Sequence, residues 1–291
     1  MLPARPRLSR SWRRFLTSAH APLLTHCCLL LLTASFFSLL LWLPFWAAFV
    51  PCAILQHRVG VLLHEYIHGI PFTRYRTNLA VLSVFDSCFL MFGLMDLFRG
   101  THLAHHRWLN TERDPAHHAA EDAKRGPMGP ITALEGVQHL VYLRDALRGR
   151  QPYVTPSRIV LGVFLSSLWV VFWILVGLPG MVAKVIALTV YNTLIPVSLR
   201  GAVEHHSHPA DPSFANEYRV VIPLFNLNRH VHHHEDPRCP WYLLEYRTEN
   251  PLSAIHYLTH WFRVYLTRDY VLMRPMSAAA SRAGAPRARI P

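Results

Sequence analysis

Residues 15–57 read FLTSAHAPLLTHCCLLLLTASFFSLLLWLPFWAAFVPCAILQH and hold no Asp, Glu, Lys or Arg. As one α-helix, at about 1.5 Å per residue, the stretch would be more than twice as long as the ~30 Å hydrocarbon core of a bilayer. It has to turn back on itself, and residues 42–44 (Trp-Leu-Pro) are the place. The first crossing is predicted over residues 23–41. The second begins at Pro44, where a proline early in a helix forfeits no needed hydrogen bond, and runs through Gln56 to Leu63. A second apolar run, residues 159–199, is interrupted only by Lys184 and carries its own breaker, Gly177-Leu178-Pro179-Gly180. It predicts crossings at 159–176 and 181–199.

The rest of the composition agrees. The chain is 52% hydrophobic and 16% charged, with a mean hydropathy of +0.18, which excludes a disordered chain and argues against an ordinary soluble domain. Lys and Arg outnumber Asp and Glu by 29 to 17, but the cations sit outside the apolar runs. Nucleic acid is therefore not the expected partner. Residues 1–14 carry five Arg and no acid, and neither predicted turn is charged. By the positive-inside rule both termini face the cytoplasm, with Lys184 snorkelling to the outer interface. The first apolar stretch is too long for the core of a cleaved signal. A multi-pass protein of a bacterial inner (plasma) membrane is expected, divided into an Arg-rich cytoplasmic N-terminus (1–22), a membrane domain (23–245) and a cytoplasmic C-terminal region (246–291), disordered after Met276. The five cysteines lack paired spacing, so neither a disulfide framework nor a CxxC zinc site is implied.

Chemistry is concentrated in the 20 histidines. His64-Glu65-Tyr66-Ile67-His68 sets two imidazoles at i and i+4 on one helical face. His102-Leu103-Ala104-His105-His106 sets three at i, i+3 and i+4, and His230-Val231-His232-His233-His234 repeats that spacing while skipping His232. Glu204-His205 adds one more at the end of the fourth crossing. These nine candidate ligands, His64, His68, His102, His105, His106, His205, His230, His233 and His234, exceed what one metal takes and call for two. His26, His57, His139, His256 and His260 read as packed or interfacial residues. Because the three clusters have to meet, residues 79–98, which contain Asp86 and Asp96, are expected to dip into the membrane and return rather than cross it.

Other readings compete. HEYIH satisfies H-E-x-x-H, the pattern of a zinc metalloprotease, but that chemistry uses neither of the other clusters. A transporter would carry its polar ligands near the bilayer midplane, where these runs are almost bare. The chain instead resembles the membrane fatty acid desaturases and their hydroxylase relatives, through HEYIH at 64–68, HLAHH at 102–106 and the N-x-H-x-x-H-H form beginning at Asn228. Asp114-Pro115, Pro237, Pro240, Trp241, Tyr242 and Leu243 look like that family's flanking residues. The resemblance spans residues 23–245. It implies an all-α membrane protein with four transmembrane helices in two hairpins and a cytoplasmic helical cap bearing the histidine boxes. It also implies that the nine histidines bind two iron ions, with O2 as co-substrate and a lipid or acyl chain as substrate. The expected reaction is acyl-chain desaturation. Box one reads His-Glu and box three Arg-His, as in the related alkane hydroxylases, so hydroxylation is the alternative. No HPGG haem motif of a fused cytochrome b5 domain is present, and electrons are expected from a separate ferredoxin, cytochrome b5 or reductase. Glu65, Asp114, Glu204, Asp236 and Asn228 are the candidate groups for supporting the imidazoles, although Asp114 and Asp236 each precede a proline and also suit turns. Trp46, Trp108, Trp169, Trp173 and Trp241 are candidates either for a substrate channel or for interface anchors.

Overall fold

The computed structural model describes residues 22–115, 135–149, 154–197, 200, 204–207, 215–219, 225–248, 250–253, 255–256, 259 and 271–272. The Arg-rich start, the tail after Met276 and His260 lie outside the described residues. In chain order the described helices are α1 (Pro22–Trp42), α2 (Phe45–Ile67), α3 (Tyr75–Cys88), α4 (Leu94–Trp108), α5 (Glu135–Leu147), α6 (Pro156–Leu175), α7 (Gly180–Asn192) and α8 (His230–Glu235). Strands β1 (His206–Ser207) and β4 (Val271–Leu272) pair antiparallel, and β2 (Tyr218–Arg219) and β3 (Leu252–Ser253) pair parallel. The protein is mostly helical, as expected, with these two-residue ladders added near the histidine-bearing loops.

Four helical segments are long and apolar enough to cross a membrane: α1, α2, α6, and α7 with its extension to Val197. Leu30, Leu31, Val160 and Leu175 on them are 64%, 67%, 64% and 80% exposed. In water such surfaces would be liabilities, whereas against lipid they are matched to their surroundings. Pro44 is the N-cap of α2, in extended backbone, one residue before the helix proper. At its other end α2 outlasts the expected stop by four residues. Gly69, at φ 70°, closes it with Ile70 N–H donating to the Glu65 carbonyl at 3.0 Å, a left-handed cap that glycine takes without a Cβ penalty. α7 widens into a π turn over Thr193–Val197, where Pro196 supplies no amide hydrogen.

α1 and α2 pack along each other, whereas α6 packs chiefly on α3 and α7 on α2. Since lipid tails are as apolar as Leu, dispersion and interhelical hydrogen bonds hold such a bundle together. Leu29, Phe36 and Leu40 of α1, Cys52, Val59 and Leu62 of α2, and Val185 and Leu188 of α7 form the packed centre around Phe89. Gln56 Nε2 donates to Thr189 Oγ1 at 2.7 Å, Asn192 Nδ2 donates to Gln56 Oε1 at 2.7 Å, and Thr189 Oγ1 donates to the Phe89 carbonyl at 2.9 Å. Lys184 Nζ donates at 3.0 Å to the carbonyl of Leu40 in the last turn of α1, so it satisfies a helix end instead of reaching only for solvent.

Residues 79–98 do not form one span. α3 has 14 residues and rises about 21 Å, short of a crossing, and the chain then breaks over 89–93. Leu90, Phe92 and Gly93 take φ of 51°, 54° and 90°. The acids that argued against a crossing hold this turn together. Asp86 accepts from Gly93 N–H at 2.7 Å and Met95 N–H at 2.8 Å, capping α4, while Asp96 accepts from Arg99 Nε at 3.1 Å and Arg158 Nε at 2.7 Å. Gly162 of α6 sits against Gly93, where a Cβ would lie 2.5 Å from the Gly93 Cα. The turn thereby returns the chain so that α4 runs beside α3.

Candidate metal centre

Helical period delivers the histidines. His64 lies in the last turn of α2 and His68 caps it; His102, His105 and His106 lie along α4; His230, His233 and His234 occupy α8, with His205 from the segment after α7. Their ring nitrogens gather into two groups. In the first, from α2, α4 and α8, His64 Nε2 is 2.7 Å from His102 Nε2, His68 Nε2 is 3.0 Å from His102 Nε2, and His106 Nε2 is 3.0 Å from both His102 Nε2 and His233 Nε2. In the second, His205 Nε2 lies 3.0 Å from His105 Nε2, 2.8 Å from His230 Nε2 and 3.3 Å from His234 Nε2. The two groups adjoin, with the His106 and His234 rings 4.3 Å apart. The neighbours i and i+4 on α4 serve the first group, and His105, at i+3, turns to the second.

This donor set fits two metal ions. Each Nε2 offers either one hydrogen or one lone pair, so a nitrogen such as that of His102, with three others around it, cannot hydrogen-bond to all of them, whereas lone pairs that share an electrophile are all satisfied. Ligand atoms about 2.1 Å from one ion stand roughly 3 Å apart at right angles, close to the observed separations. Ionisation favours the same outcome. Burial, reinforced by neighbouring imidazoles, pushes His102, His106, His233 and His234 well below the ordinary 6.5 and, with Arg238, takes His68 to about 3. The rings are neutral, the form that ligates.

The candidate supporting residues separate by geometry. Asp114, wholly buried, meets His105 Nδ1 at 2.8 and 2.9 Å and accepts Asn110 N–H at 2.7 Å, so the His105 hydrogen sits on Nδ1 and the Nε2 lone pair faces the group. Glu204 accepts from Arg200 Nε at 2.7 Å and places Oε2 3.4 Å from His230 Nε2. Burial pushes its carboxyl up, and Arg200 pulls it back. Three candidates make other contacts among the described residues. The Glu65 carboxylate accepts Thr25 Oγ1 at 3.0 Å and Trp241 N–H at 2.5 Å, which ties α1 and the loop after α8 to α2. Asp236 closes a turn by accepting Arg238 N–H at 3.2 Å. Asn228 Nδ2 donates to the Tyr218 carbonyl at 2.6 Å and Tyr246 Oη at 2.8 Å, bracing the entry to α8. His232 points elsewhere and accepts Glu245 N–H at 2.9 Å. Glu65 faces away from His64 and His68, so it is not placed as the base of a metalloprotease.

Reading residues alone missed Arg200 and also Glu217, a buried carboxylate that accepts the amides of Arg247 and Thr248 at 2.9 and 2.7 Å and fixes the loop after box three. It also missed Gln56 and Asn192. Their signal was present, since uncharged polar side chains within apolar spans face protein rather than lipid.

A cavity of about 190 Å³ opens beside both groups, lined by His64, His102, His105, His205, His230 and Glu204 and also by Met91, Met95 and Phe98. It shares Met91, Leu94, His139, Thr189 and Thr193 with a second, apolar cavity of about 330 Å³ walled by Leu97, Ile159, Ile186 and Leu194. None of the five candidate tryptophans lines either cavity. Trp173 packs against Phe37, and Trp46 is 82% exposed. Residues 40–264 match the sequence family described as Fatty acid desaturase. This chain belongs to the fatty acid desaturase family. No curated protein and no solved structure matches it. Membership makes the chain an oxidoreductase. A desaturase-family centre is typically di-iron, and the two histidine groups are metal-binding arrangements of the kind such a centre needs.

Proposed function

We propose that this protein is a membrane-bound, O2-dependent di-iron oxidoreductase that introduces a double bond into a fatty acyl chain. The observation that carries the reading is that two convergent imidazole groups line a cavity that shares wall residues of α4, α5 and α7 with a second, apolar one. The first iron would be held by His64, His68, His102, His106 and His233, and the second by His105, His205, His230 and His234. When bound, the pair supplies the O2 chemistry that removes hydrogen from an unactivated methylene, with two electrons from a separate donor such as a ferredoxin, cytochrome b5 or reductase.

The chain's own residues do the rest. Met91, Leu94, Met95 and Phe98 offer an acyl chain an apolar wall and exclude bulk water from the reacting end. Asp114 holds the His105 hydrogen on Nδ1. Glu65, through Trp241 and Thr25, fixes the end of α2 against the loop that follows α8. Placement to within a fraction of an ångström decides whether a second hydrogen leaves the neighbouring carbon. In the proposed topology the four spans form two hairpins in a bacterial inner membrane, α3 and α4 dip and return, and both termini and the histidine cap lie on the cytoplasmic side.

Expression in a host of known lipid composition, together with a competent electron donor, tests the reading by mass spectrometry of the fatty acids. A loss of two mass units is the expected result. A gain of sixteen assigns hydroxylation, and an unchanged profile counts against both for those lipids.

A further inference from the structure

We propose that Glu204 is a fifth ligand of the metal held by His105, His205, His230 and His234, so that one metal site is all imidazole and the other carries one carboxylate. The inference rests on the two-metal reading above. A carboxylate that supports a ligating imidazole from behind meets the nitrogen on the far edge of the ring, as Asp114 meets His105 Nδ1. Glu204 stands on the other edge. Its Oε2 is 3.4 Å from His230 Nε2, the same atom that lies 2.8 Å from His205 Nε2 and 3.0 Å from His234 Nε2. The ligand atoms of Glu204, His205 and His230 all fall within 4.8 Å of one another.

The separation is that of neighbouring ligands. Two donors each about 2.1 Å from one ion and roughly 90–110° apart lie roughly 3.0–3.4 Å from each other. Glu204 is 5% exposed, and its Oε1 is already engaged by Arg200 Nε at 2.7 Å. That pairing leaves Oε2 as the oxygen offered to the centre and makes the carboxylate a one-oxygen ligand. With it each group has five donors. The two sites then differ in charge, and both face the cavity, the all-imidazole one through His64 and His102 and the carboxylate-bearing one through His105, His205, His230 and Glu204. An anionic oxygen stabilises the more highly charged state of a metal better than a neutral imidazole does, so the irons are distinguishable spectroscopically.

The full chain in detergent, loaded anaerobically with iron enriched in its Mössbauer isotope, provides the test. Wild type is expected to take two irons per chain, seen as two inequivalent doublets. Glu204→Gln is expected to lose one doublet or shift it, with affinity at that site falling about tenfold or more and the five-histidine site unchanged. Two irons and an unaltered spectrum in Glu204→Gln overturn the inference while leaving the two-metal reading intact. Wild type that takes up fewer than two irons overturns both. If Glu204→Gln does not fold, Arg200→Gln decides: freeing Oε1 shifts the same doublet if Glu204 is a ligand, and leaves both doublets in place if it is not.

Discussion

Asp114 both orients the His105 ring and fixes its tautomer, and in the proposed centre His105 is a ligand. Asp114→Asn is therefore expected to weaken metal binding about 10–100-fold in a metal titration, whereas Asp236→Asn, at a turn, leaves it unchanged. His232→Ala is expected to keep both proposed metals, since among the described residues that ring accepts the Glu245 amide and joins neither group. Acid sensitivity has a defined direction too. In the metal-free protein burial holds His68 near 3, against 6.5 ordinarily, and His102, His106, His233 and His234 also lie well below 6.5, so the unfolded chain binds more protons as pH drops. Stability that is full above about pH 6.5 is lost progressively toward pH 3. Thermal denaturation of chelator-stripped protein at pH 7.5 and pH 5 is expected to give a clearly lower midpoint at pH 5. The histidine clusters were legible because i, i+3, i+4 spacing is local. Which ring joins which group was not, because that depends on how α4 faces α2 and α8 at once. The contacts of Glu65 and Asp236 were not legible for the same reason: adjacency to a box in sequence says nothing about which edge of which ring a carboxylate meets.

At the scale of elements, the decisive piece is the break between α3 and α4. Gly162→Ala would press a methyl group to 2.5 Å from the Gly93 Cα, with backbone on both sides unable to yield cheaply. A loss of about 1–3 kcal/mol is expected, together with reduced metal content, since α4 carries three of the nine histidines. A thermal melt paired with metal analysis reads both. Asp86→Ala removes the carboxylate that caps α4 and is expected to cost about 1 kcal/mol. That residues 79–98 do not cross followed from the need for three boxes to meet. The location of the turn did not follow, because Leu90 and Phe92 are poor turn formers by composition and take positive φ only where Asp86, Ser166 and α6 hold the backbone. The crossings themselves were legible to within a few residues, since length and charge set them, although the histidine-bearing last turn of α2 lay beyond the predicted stop.

For the whole molecule, the predicted sidedness of the dip is accessible to labelling. In a cysteine-free background, Arg76→Cys and Glu112→Cys, both exposed, are expected to react from the same face, and opposite sidedness would contradict a return. The joined cavities make a second claim. Ile186→Trp fills the apolar end remote from the histidines, so turnover of long acyl chains is expected to fall severalfold while both metals remain bound, as product profiling and metal analysis would show. Each histidine group draws on segments far apart in the chain, and α8 contributes to both. That dependence sets the order of biogenesis. While residues 230–234 are still inside the ribosome, neither histidine group can be complete. On the proposed two-metal reading, metal loading is a late event and α8 is the closing latch, so that an iron-starved cell is expected to accumulate inserted but unlatched chains, open to proteolysis around the third box.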